Sequence, residues 1–456
     1  MKNPRSLNRL LLALALALLA SSPTLAEPIF PFEVQERTLA NGLKVLVVAY
    51  DSPGVATYYT LVRAGSRNEV EPGHSGFAHF FEHMMFRGTA AFPSDVYNAE
   101  LKRIGADSNG STSDDLTRYY ITGPSSEILR VMEMESDRFL NLLYDEDVFR
   151  TESRAVLGEY NKNASNPFRA MNERLRDLAF ERHTYKHTTM GFLEDIRAMP
   201  EYYDYSLGFF QRFYRPENCI VLVVGDVDPN AFFEEAEKRY GGWEPGYAEP
   251  AIEQERGGAG PRREHIAWPN PTRPYLQVGY MAPAFSATTR ESAALDVVSQ
   301  LLVAETAPLY QKLVVDDQLV DSLSGGLPDH RDAYPFTITA RIKSNDLVQE
   351  VEAAIDQALA DLRDNLIDSE RLEPIKSHLR YQFALSLDSP ASVAFTVGHY
   401  LSLTGSIETI NQIYERYEEV TAEDVRAVAR KVFQARNQTT VWLTHVEGDA
   451  STSGGG

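Results

Sequence analysis

Three titratable side chains lie inside the apolar segment 76–86, which reads GFAHFFEHMMF, and they are His79, Glu82 and His83. Ser75 is typical of a helix N-cap and Gly88 of a left-handed helix end, so we predict a helix of about three turns. On such a helix the two imidazoles are about 40° apart, with the carboxylate beside them. Both can therefore reach one metal ion, and Zn²⁺ accepts two histidine nitrogens readily.

Two histidines leave a catalytic zinc ion short of ligands, because such sites usually hold three protein ligands and a water molecule. A third candidate lies in TESRAVLGEYNKN, where Glu152 and Glu159 are seven residues apart and share nearly one helix face. One can bind the metal while the other supports a ligand, and the spacing leaves this choice open. A closed structural site would need a fourth protein ligand. The nearest spare histidine, His74, lies off the ligand face.

The pattern H-x-x-E-H with a distant glutamate resembles the pitrilysin, insulin-degrading enzyme and mitochondrial processing peptidase family of zinc metallopeptidases. Glu159 lies 76 residues beyond His83. The segments GSRNE, MFRGT and YRPEN to GDVDP, together with the two-domain length, fit the half-size bacterial-type catalytic subunits of that family. The resemblance covers nearly the whole chain after its first 26 residues.

The resemblance implies an exported zinc endopeptidase that hydrolyses extended or unfolded peptides. It implies one Zn²⁺ per chain with the ligands His79, His83 and Glu159. Glu82 would be the general base for a zinc-activated water, and Glu152 a supporting catalytic glutamate. The alternative function is a non-catalytic subunit that holds peptides or assists assembly on the same scaffold. The intact chemistry at the ligand and base positions favours the enzyme.

A substrate-binding strand is expected in ADSNGSTSDDLTRYYITG. In the family the corresponding segment is an edge strand beside the metal, and its Asn-small-x-Thr pattern matches Asn109, Gly110, Ser111 and Thr112. Edge strands bind extended peptides through backbone hydrogen bonds, which demand little of side-chain identity. Apart from the resemblance, these residues also fit an ordinary polar turn.

The elements that must position these residues repeat along the chain. FYRPENCIVLVV resembles VFQARNQTTVWL at an offset of 219, and the strand ending at Ala64 resembles that ending at Ala282 at an offset of 218. We therefore predict an α+β fold of two homologous domains, each an antiparallel-rich sheet flanked by helices, as in a processing-peptidase half clamshell. The expected segments are a catalytic zinc-binding domain, a linker, a second domain without a metal site and a flexible tail, at 27–245, 246–265, 266–450 and 451–456.

The second domain is expected to lack the metal site. At the repeat offset the positions that match the metal-binding helix are Val297, Gln300 and Leu301. None of these side chains is a common zinc ligand. The scattered histidines of this half are interpreted as structural, and they are His330, His378 and His399.

The N-terminus is typical of a secretory signal peptide. Basic residues at positions 2, 5 and 9 precede the apolar stretch 10–20, and a small residue, Ala26, stands at the expected cleavage point. A membrane-spanning helix would need about 20 apolar residues. We therefore predict a signal peptide at 1–26, a periplasmic or secreted chain from Glu27 and no stable membrane span; retention as an anchor is the alternative.

Charge and cysteine content argue against two further properties, which are nucleic-acid binding through phosphate contacts and an internal disulfide. The chain has 44 Lys and Arg against 65 Asp and Glu, a net charge of −21, which disfavours binding to nucleic acid through phosphate neutralisation. Cys219 is the only cysteine, so no internal disulfide can form. It lies in the apolar segment NCIVLVVGD, which predicts a buried core residue.

A partner subunit is implied by what the second half lacks. In this family an Arg, and a Tyr seven residues later, reach the substrate from the half of the molecule opposite the zinc. After LYQKL this chain has Val314 and Asp321 at those positions. We therefore predict a heterodimer with a homologous subunit that supplies the Arg and Tyr, with a homodimer as the alternative. A shifted alignment, or a substitute donor such as Arg341, would remove this need.

Overall fold

Two β-sheets support the fold in this computed structural model, which describes residues 28–255 and 260–446. The first sheet has the strand order β1-β2-β6-β3-β5-β4, in which β2 and β6 are parallel and the other neighbours antiparallel. Its strands are Val34–Thr38 (β1), Lys44–Ala49 (β2), Val55–Val62 (β3), Asp107–Thr112 (β4), Thr117–Pro124 (β5) and Cys219–Gly225 (β6). The predicted signal peptide and tail lie outside the described residues.

The second sheet repeats five strands of the first in the same spatial order. Its order is β7-β11-β8-β10-β9, again with one parallel pair, β7 and β11, at the same place. The strands are Arg262–Trp268 (β7), Tyr275–Ala282 (β8), Val320–Gly326 (β9), Tyr334–Ile342 (β10) and Gln438–His445 (β11). This architecture confirms the predicted α+β class with two similar sheets flanked by helices.

The helices lie on the faces of the two sheets. In the first half they are Phe77–Met84 (α1), Ser94–Ile104 (α2), Ile128–Asn141 (α3), Glu146–Ala164 (α4), Pro167–Ala179 (α5), Leu193–Ala198 (α6), Tyr203–Phe213 (α7) and Pro229–Tyr240 (α8). In the second half they are Glu291–Val303 (α9), Pro308–Tyr310 (α10), Val348–Asp364 (α11), Leu372–Leu385 (α12), Pro390–Thr404 (α13), Thr409–Glu419 (α14) and Ala422–Val432 (α15). A π-helical turn, Gln311–Asp316, continues α10.

Each half lends one helix to the sheet of the other. Helix α5 packs on β8 and β11, where Leu175 joins Leu443 in a small apolar cluster. Helix α13 packs on β3 and β6, and a Cβ at Gly398 would lie 2.7 Å from the ring of Tyr59. Only glycine allows this close approach without a shift of the ring. The exchange ties the two halves together through apolar surface.

The second sheet begins earlier than the sequence indicates. Strand β7 starts at Arg262, so the last four residues of the predicted linker 246–265 belong to the sheet. In the described part of the chain this strand pairs only with β11, and it alternates between exposed and half-buried positions. An edge strand with charged residues has little apolar character, and for this reason the sequence predicted a linker where β7 begins.

Buried ion pairs also join the two halves. The Nε of Arg67 donates to Oδ2 of Asp332 at 2.5 Å. Nε2 of His330 lies 3.0 Å from Oδ2 of Asp114, whose other oxygen accepts from Nη2 of Arg176 at 2.8 Å. Asp114 lies just after the edge strand β4, so the second half helps to fix the end of that strand. His330, interpreted as structural from the sequence, thus has an identified partner.

The His330 pair should make stability depend on pH. Burial alone lowers the pKa of His330, but the hydrogen bond and charge of Asp114 outweigh it and raise the pKa above 6.5. A raised folded pKa gives stability that is complete below about pH 6.5 and is lost as pH rises through the folded value. We expect His330→Gln to lower the free energy of unfolding by about 1.5 to 3 kcal/mol at pH 6 and by less at pH 9.

Denaturant unfolding at the two pH values measures this difference. His399→Gln is the matched control, because Nε2 of His399 lies 3.1 Å from Asp329 with its side chain 40% exposed. That variant should lose little at either pH. An equal loss for His330→Gln at pH 6 and pH 9 would contradict the ion pair.

Candidate metal centre

Helix α1 has one apolar face and one face with titratable side chains. Its buried side chains anchor it in the core of the first half, and they are Phe77, Ala78, Phe80, Phe81 and Met84. Phe81 stacks on Phe209 of α7 with ring centroids 5.2 Å apart. The remaining face carries His79, Glu82 and His83, as the spacing predicts.

The start of this helix differs from the prediction. Ser75 does not cap it; Gly76 is the N-cap residue, with φ 93°, and no side chain at that position accepts a hydrogen bond. The hydroxyl of Ser75 instead donates to Asp195 at 2.5 Å. The reason is close packing, since a Cβ at Gly76 would lie 2.4 Å from Ile196. The end differs as well: the α-helix stops at Met84, and Gly88, after a short 3-10 turn, has φ 89° and ψ −166° in place of the predicted left-handed helical conformation.

The structure brings all three predicted metal ligands together. One donor atom each from His79, His83 and Glu159 lies within 4.8 Å of the others, and among the described residues no other group of three metal-binding side chains does so. Nε2 of His79 is 3.2 Å, and Nε2 of His83 3.5 Å, from Oε2 of Glu159. The two imidazole planes are 74° apart. The donors thus converge on one point from two helices.

This donor set fits zinc. Tetrahedral bonds of about 2.0 to 2.2 Å place ligand atoms about 3.3 to 3.6 Å apart, close to the two distances from Glu159. Two neutral imidazoles and one carboxylate form a known type of catalytic zinc site, in which a fourth position stays open. His74 does not fill that position, because its ring lies 4.0 Å from the ring of Tyr205 and Nδ1 donates to the carbonyl of Pro72.

The two glutamates of α4 occupy different places, which the sequence spacing could not distinguish. Glu159 lies on the Nε2 side of both histidines. Glu152 is 3% exposed and lies behind His83, with Oε2 3.7 Å from Nδ1, while its other oxygen pairs with Arg87. A carboxylate on the far nitrogen of a metal-binding imidazole orients the ring.

Glu82 is held beside the ligand atoms. Its Oε2 accepts a hydrogen bond from the hydroxyl of Thr112 at 2.6 Å and lies 3.4 Å from Nδ1 of His79. Burial alone would raise the pKa of Glu82, but these two contacts outweigh it and lower the pKa. The carboxylate is therefore ionised at neutral pH. It is free to accept a proton from a group bound next to it.

Electrostatics favour a cation at this site. The hydrogen bond with His79 is the main cause that lowers the pKa of Glu159 to about 2. Burial alone lowers the pKa of His79, yet Glu159 and Glu82 together raise it to about 9. Two ionised carboxylates thus surround the imidazole nitrogens, which is the charge arrangement that attracts a divalent metal.

The predicted substrate segment is the edge strand of the first sheet. Within residues 28–255 and 260–446, strand β4 pairs only with β5, and its other edge has no strand beside it. Gly110 and Thr112 face Glu82, and a Cβ at Gly110 would lie 3.2 Å from that side chain. Asn109 and Ser111 alternate to the opposite face. Oδ1 of Asn109 accepts from the N–H of Gly110 at 2.8 Å, and Ser111 accepts from Arg118.

The second half has an apolar helix where the first has the helix with two candidate metal ligands. Val297 and Leu301 are buried on α9. The residues considered for oxyanion contact are also defined: Val314 lies in the π-helical turn, and Asp321 on β9 is 3.7 Å from Arg273. The guanidinium of Arg341 on β10 lies 5.9 Å from the ring centroid of Tyr275.

Two residues that contact the elements of this site were not predicted from the sequence. Arg87, within the segment MFRGT, pairs with Glu152, and Glu69, within GSRNE, accepts backbone N–H groups of α1. For Glu69 a signal existed, since glycine precedes α1 and a helix without its own cap needs another acceptor. For Arg87 we find no such signal.

Comparison with known proteins places this geometry in a family. A sequence model of a protein family, described as "Insulinase (Peptidase family M16)", matches residues 45–192, which include all the candidate metal ligands. A second, described as "Peptidase M16 inactive domain", matches residues 203–379. The chain belongs to peptidase family M16. The predicted family is thereby confirmed.

Two M16 relatives and one solved structure cover nearly all of the chain. The zinc protease PqqE of Helicobacter pylori is 28% identical over 423 residues, 89% of this chain and 91% of the relative. The mitochondrial-processing peptidase subunit beta of Lentinula edodes is 24% identical, covering 90% of each chain. The crystal structure of a protease from Helicobacter pylori has a TM-score of 0.85 at 28% identity, over 91% of this chain and 100% of that chain.

Proposed function

We propose that this M16 chain is a zinc-dependent endopeptidase that cleaves extended or unfolded peptides. The observation that supports this most directly is the convergence of His79, His83 and Glu159 within 4.8 Å, next to an ionised Glu82. Bound zinc would supply Lewis acidity and a more acidic water molecule. Glu82 would accept the proton of that water and pass it to the leaving amine, while Thr112 keeps its carboxylate in place.

A peptide would bind as an additional strand on the free edge of β4. Backbone hydrogen bonds would hold it in an extended form, so folded proteins are poor substrates. Gly110 leaves room between the strand and Glu82, because a Cβ there would lie 3.2 Å from Cγ of Glu82. This arrangement would bring a peptide bond next to the metal ligands with little selection of its side chains.

If Asn109 orients the substrate backbone, Asn109→Ala should lower kcat/KM by about tenfold, the effect of one hydrogen bond of roughly 1 to 1.5 kcal/mol. Zinc content, measured by atomic absorption, should stay unchanged because Asn109 touches none of the ligands. Asp107→Ala is the matched control, as it lies on the same face of β4, two residues away. A wild-type kcat/KM for Asn109→Ala would exclude this role.

The proposed location is the periplasm or the outside of the cell, after removal of residues 1–26. The sequence pattern of that segment supports this, although it lies outside the described residues. Among residues 28–255 and 260–446 no helix has the length and apolar character required to cross a membrane.

Pairing with a homologous subunit is also proposed. The M16 relative from Lentinula edodes is named as a subunit, and Val314 and Asp321 lack the chemistry to stabilise an oxyanion. The partner would contribute an Arg and a Tyr to the substrate. A homodimer of this chain is the alternative.

A non-catalytic role is the second candidate. It is favoured by the same missing Arg and Tyr, which would leave a peptide-holding subunit with a metal but with little turnover. Zinc analysis combined with a quenched fluorescent peptide, with and without a chelator, distinguishes the two. The endopeptidase should contain one zinc per chain, cleave the peptide and lose activity with the chelator. Zinc-loaded protein that binds peptides without cleaving them, alone or with a homologous partner, would support the holding role.

A further inference from the structure

The helix that carries both histidines has no N-terminal cap of its own. Its N-cap residue is Gly76, and the hydroxyl of Ser75 is engaged by Asp195. The first N–H groups of a helix have no partner inside the helix and need acceptors from elsewhere. His79 is the third of the eight residues of this helix and lies within that first turn.

Glu69 supplies these acceptors from seven residues upstream. Its Oε2 accepts from the N–H of Gly76 and its Oε1 from the N–H of Ala78, both at 2.7 Å. The Glu69 side chain is fully buried. A buried carboxylate held at a helix N-terminus benefits from both the two N–H bonds and the helix dipole.

Among the described residues, no Lys or Arg side chain pairs with Glu69, and burial raises its pKa to about 8 because it outweighs the two N–H bonds and the charge of His79. The nearest titratable nitrogen is Nδ1 of His187, at 3.7 Å, and this nitrogen donates to the carbonyl of Thr188. Burial lowers the pKa of His187 to about 4, so that ring is neutral. The start of helix α1 is therefore the main partner of this carboxylate.

The surrounding backbone leaves the helix start little freedom. Gly191 packs against Gly76, since a Cβ at Gly191 would lie 2.8 Å from the nitrogen of Gly76. The first turn of α1 is thus held both by the hydrogen bonds to Glu69 and by the packing of Gly191. The rotation of that turn decides where the imidazole of His79 points.

We propose that Glu69 is a positioning residue for the metal centre, which holds helix α1 in the rotation that brings His79 and His83 to Glu159. The inference rests on the proposed zinc function. It does not require Glu69 to touch metal or substrate. A glutamine has one acceptor and two donors where glutamate has two acceptors, so Glu69→Gln would set an NH₂ group against a backbone N–H.

Zinc affinity, measured by competition with a chromophoric chelator, tests this proposal without any peptidase assay. We expect Glu69→Gln to bind zinc about 10- to 100-fold more weakly, the range found when supporting contacts of metal ligands are lost. With Co²⁺ in place of zinc, its visible absorption should change, because the ligand geometry changes. A purely structural role would leave this spectrum unaltered in the folded protein.

Glu135→Gln is the matched control. Glu135 is also fully buried in the first half, and it bonds to Tyr97 and Arg138 rather than to the start of α1. It should lose stability but keep zinc affinity within about twofold of wild type.

The outcomes separate the two proposals. Wild-type protein that binds no zinc would refute the proposed function. Wild-type zinc binding with equal affinity in Glu69→Gln and Glu135→Gln would overturn the positioning role. If Glu69→Gln does not fold, Glu69→Asp decides: weaker zinc binding supports the role, and unchanged binding overturns it. If neither variant folds, Glu69 is required for folding itself and the proposal fails.

Discussion

The variant Glu82→Gln is expected to retain its zinc, while its kcat for peptide cleavage falls by about 10²- to 10⁴-fold. The amide keeps the size of the side chain but cannot accept a proton. None of the three candidate ligands is altered. Thr112 can still donate to the amide oxygen, so the local structure should remain. The measurement is kcat on a quenched peptide together with zinc content for the same preparation.

Glu71→Gln is the control for this change. Glu71 belongs to the same half and pairs with Arg212 at the surface, away from the metal ligands. Its activity should be that of wild type. Undiminished turnover by Glu82→Gln would refute the assignment of Glu82 as the general base. Loss of zinc together with loss of activity would instead give Glu82 a role in metal binding.

Much of this site follows from local sequence rules. The four-residue spacing of His79 and His83 fixes their common face as soon as the segment is helical. The seven-residue spacing of Glu152 and Glu159 likewise puts both on one face of α4. Repetition of strand patterns at one offset predicted two similar sheets, because equal spacing of elements is preserved when a domain is duplicated.

What the sequence could not give depends on contacts between distant residues. The choice between Glu152 and Glu159 required the position of α4 against α1, which no spacing within α4 encodes. The helix start was mispredicted because Ser75 fits the preference for N-caps, while tertiary packing selects Gly76. The acceptor for that start, Glu69, lies outside the usual capping window of three residues.

The sequence also did not predict that each half packs one helix on the sheet of the other. Helices α5 and α13 have apolar faces, and amphipathic periodicity shows that a face is buried without showing which sheet buries it. The same limit applies to the cross-contact of His330 with Asp114, since a lone histidine gives no indication of its partner. Tertiary structure, rather than sequence pattern, shows which residues these elements contact.

The purified chain is expected to show weak peptidase activity, which a homologous subunit carrying the Arg and Tyr should raise by about 10²- to 10³-fold. The expected gain is that of one oxyanion donor, which is worth roughly 3 kcal/mol. Val314 offers no donor. Asp321 would repel an oxyanion, and it is already engaged by Arg273 in an ion pair.

A double variant tests the same idea within one chain. Val314→Arg with Asp321→Tyr should raise the activity of the isolated protein, whereas Arg341→Ala should leave it unchanged, because the guanidinium of Arg341 lies over Tyr275. A marked loss in Arg341→Ala would make that residue the substitute donor. Full activity from a verified monomer or homodimer of the unaltered chain would rule out the need for a partner. The metal, the base and the edge strand would then suffice for turnover, and the oxyanion would have to be stabilised from within the first half.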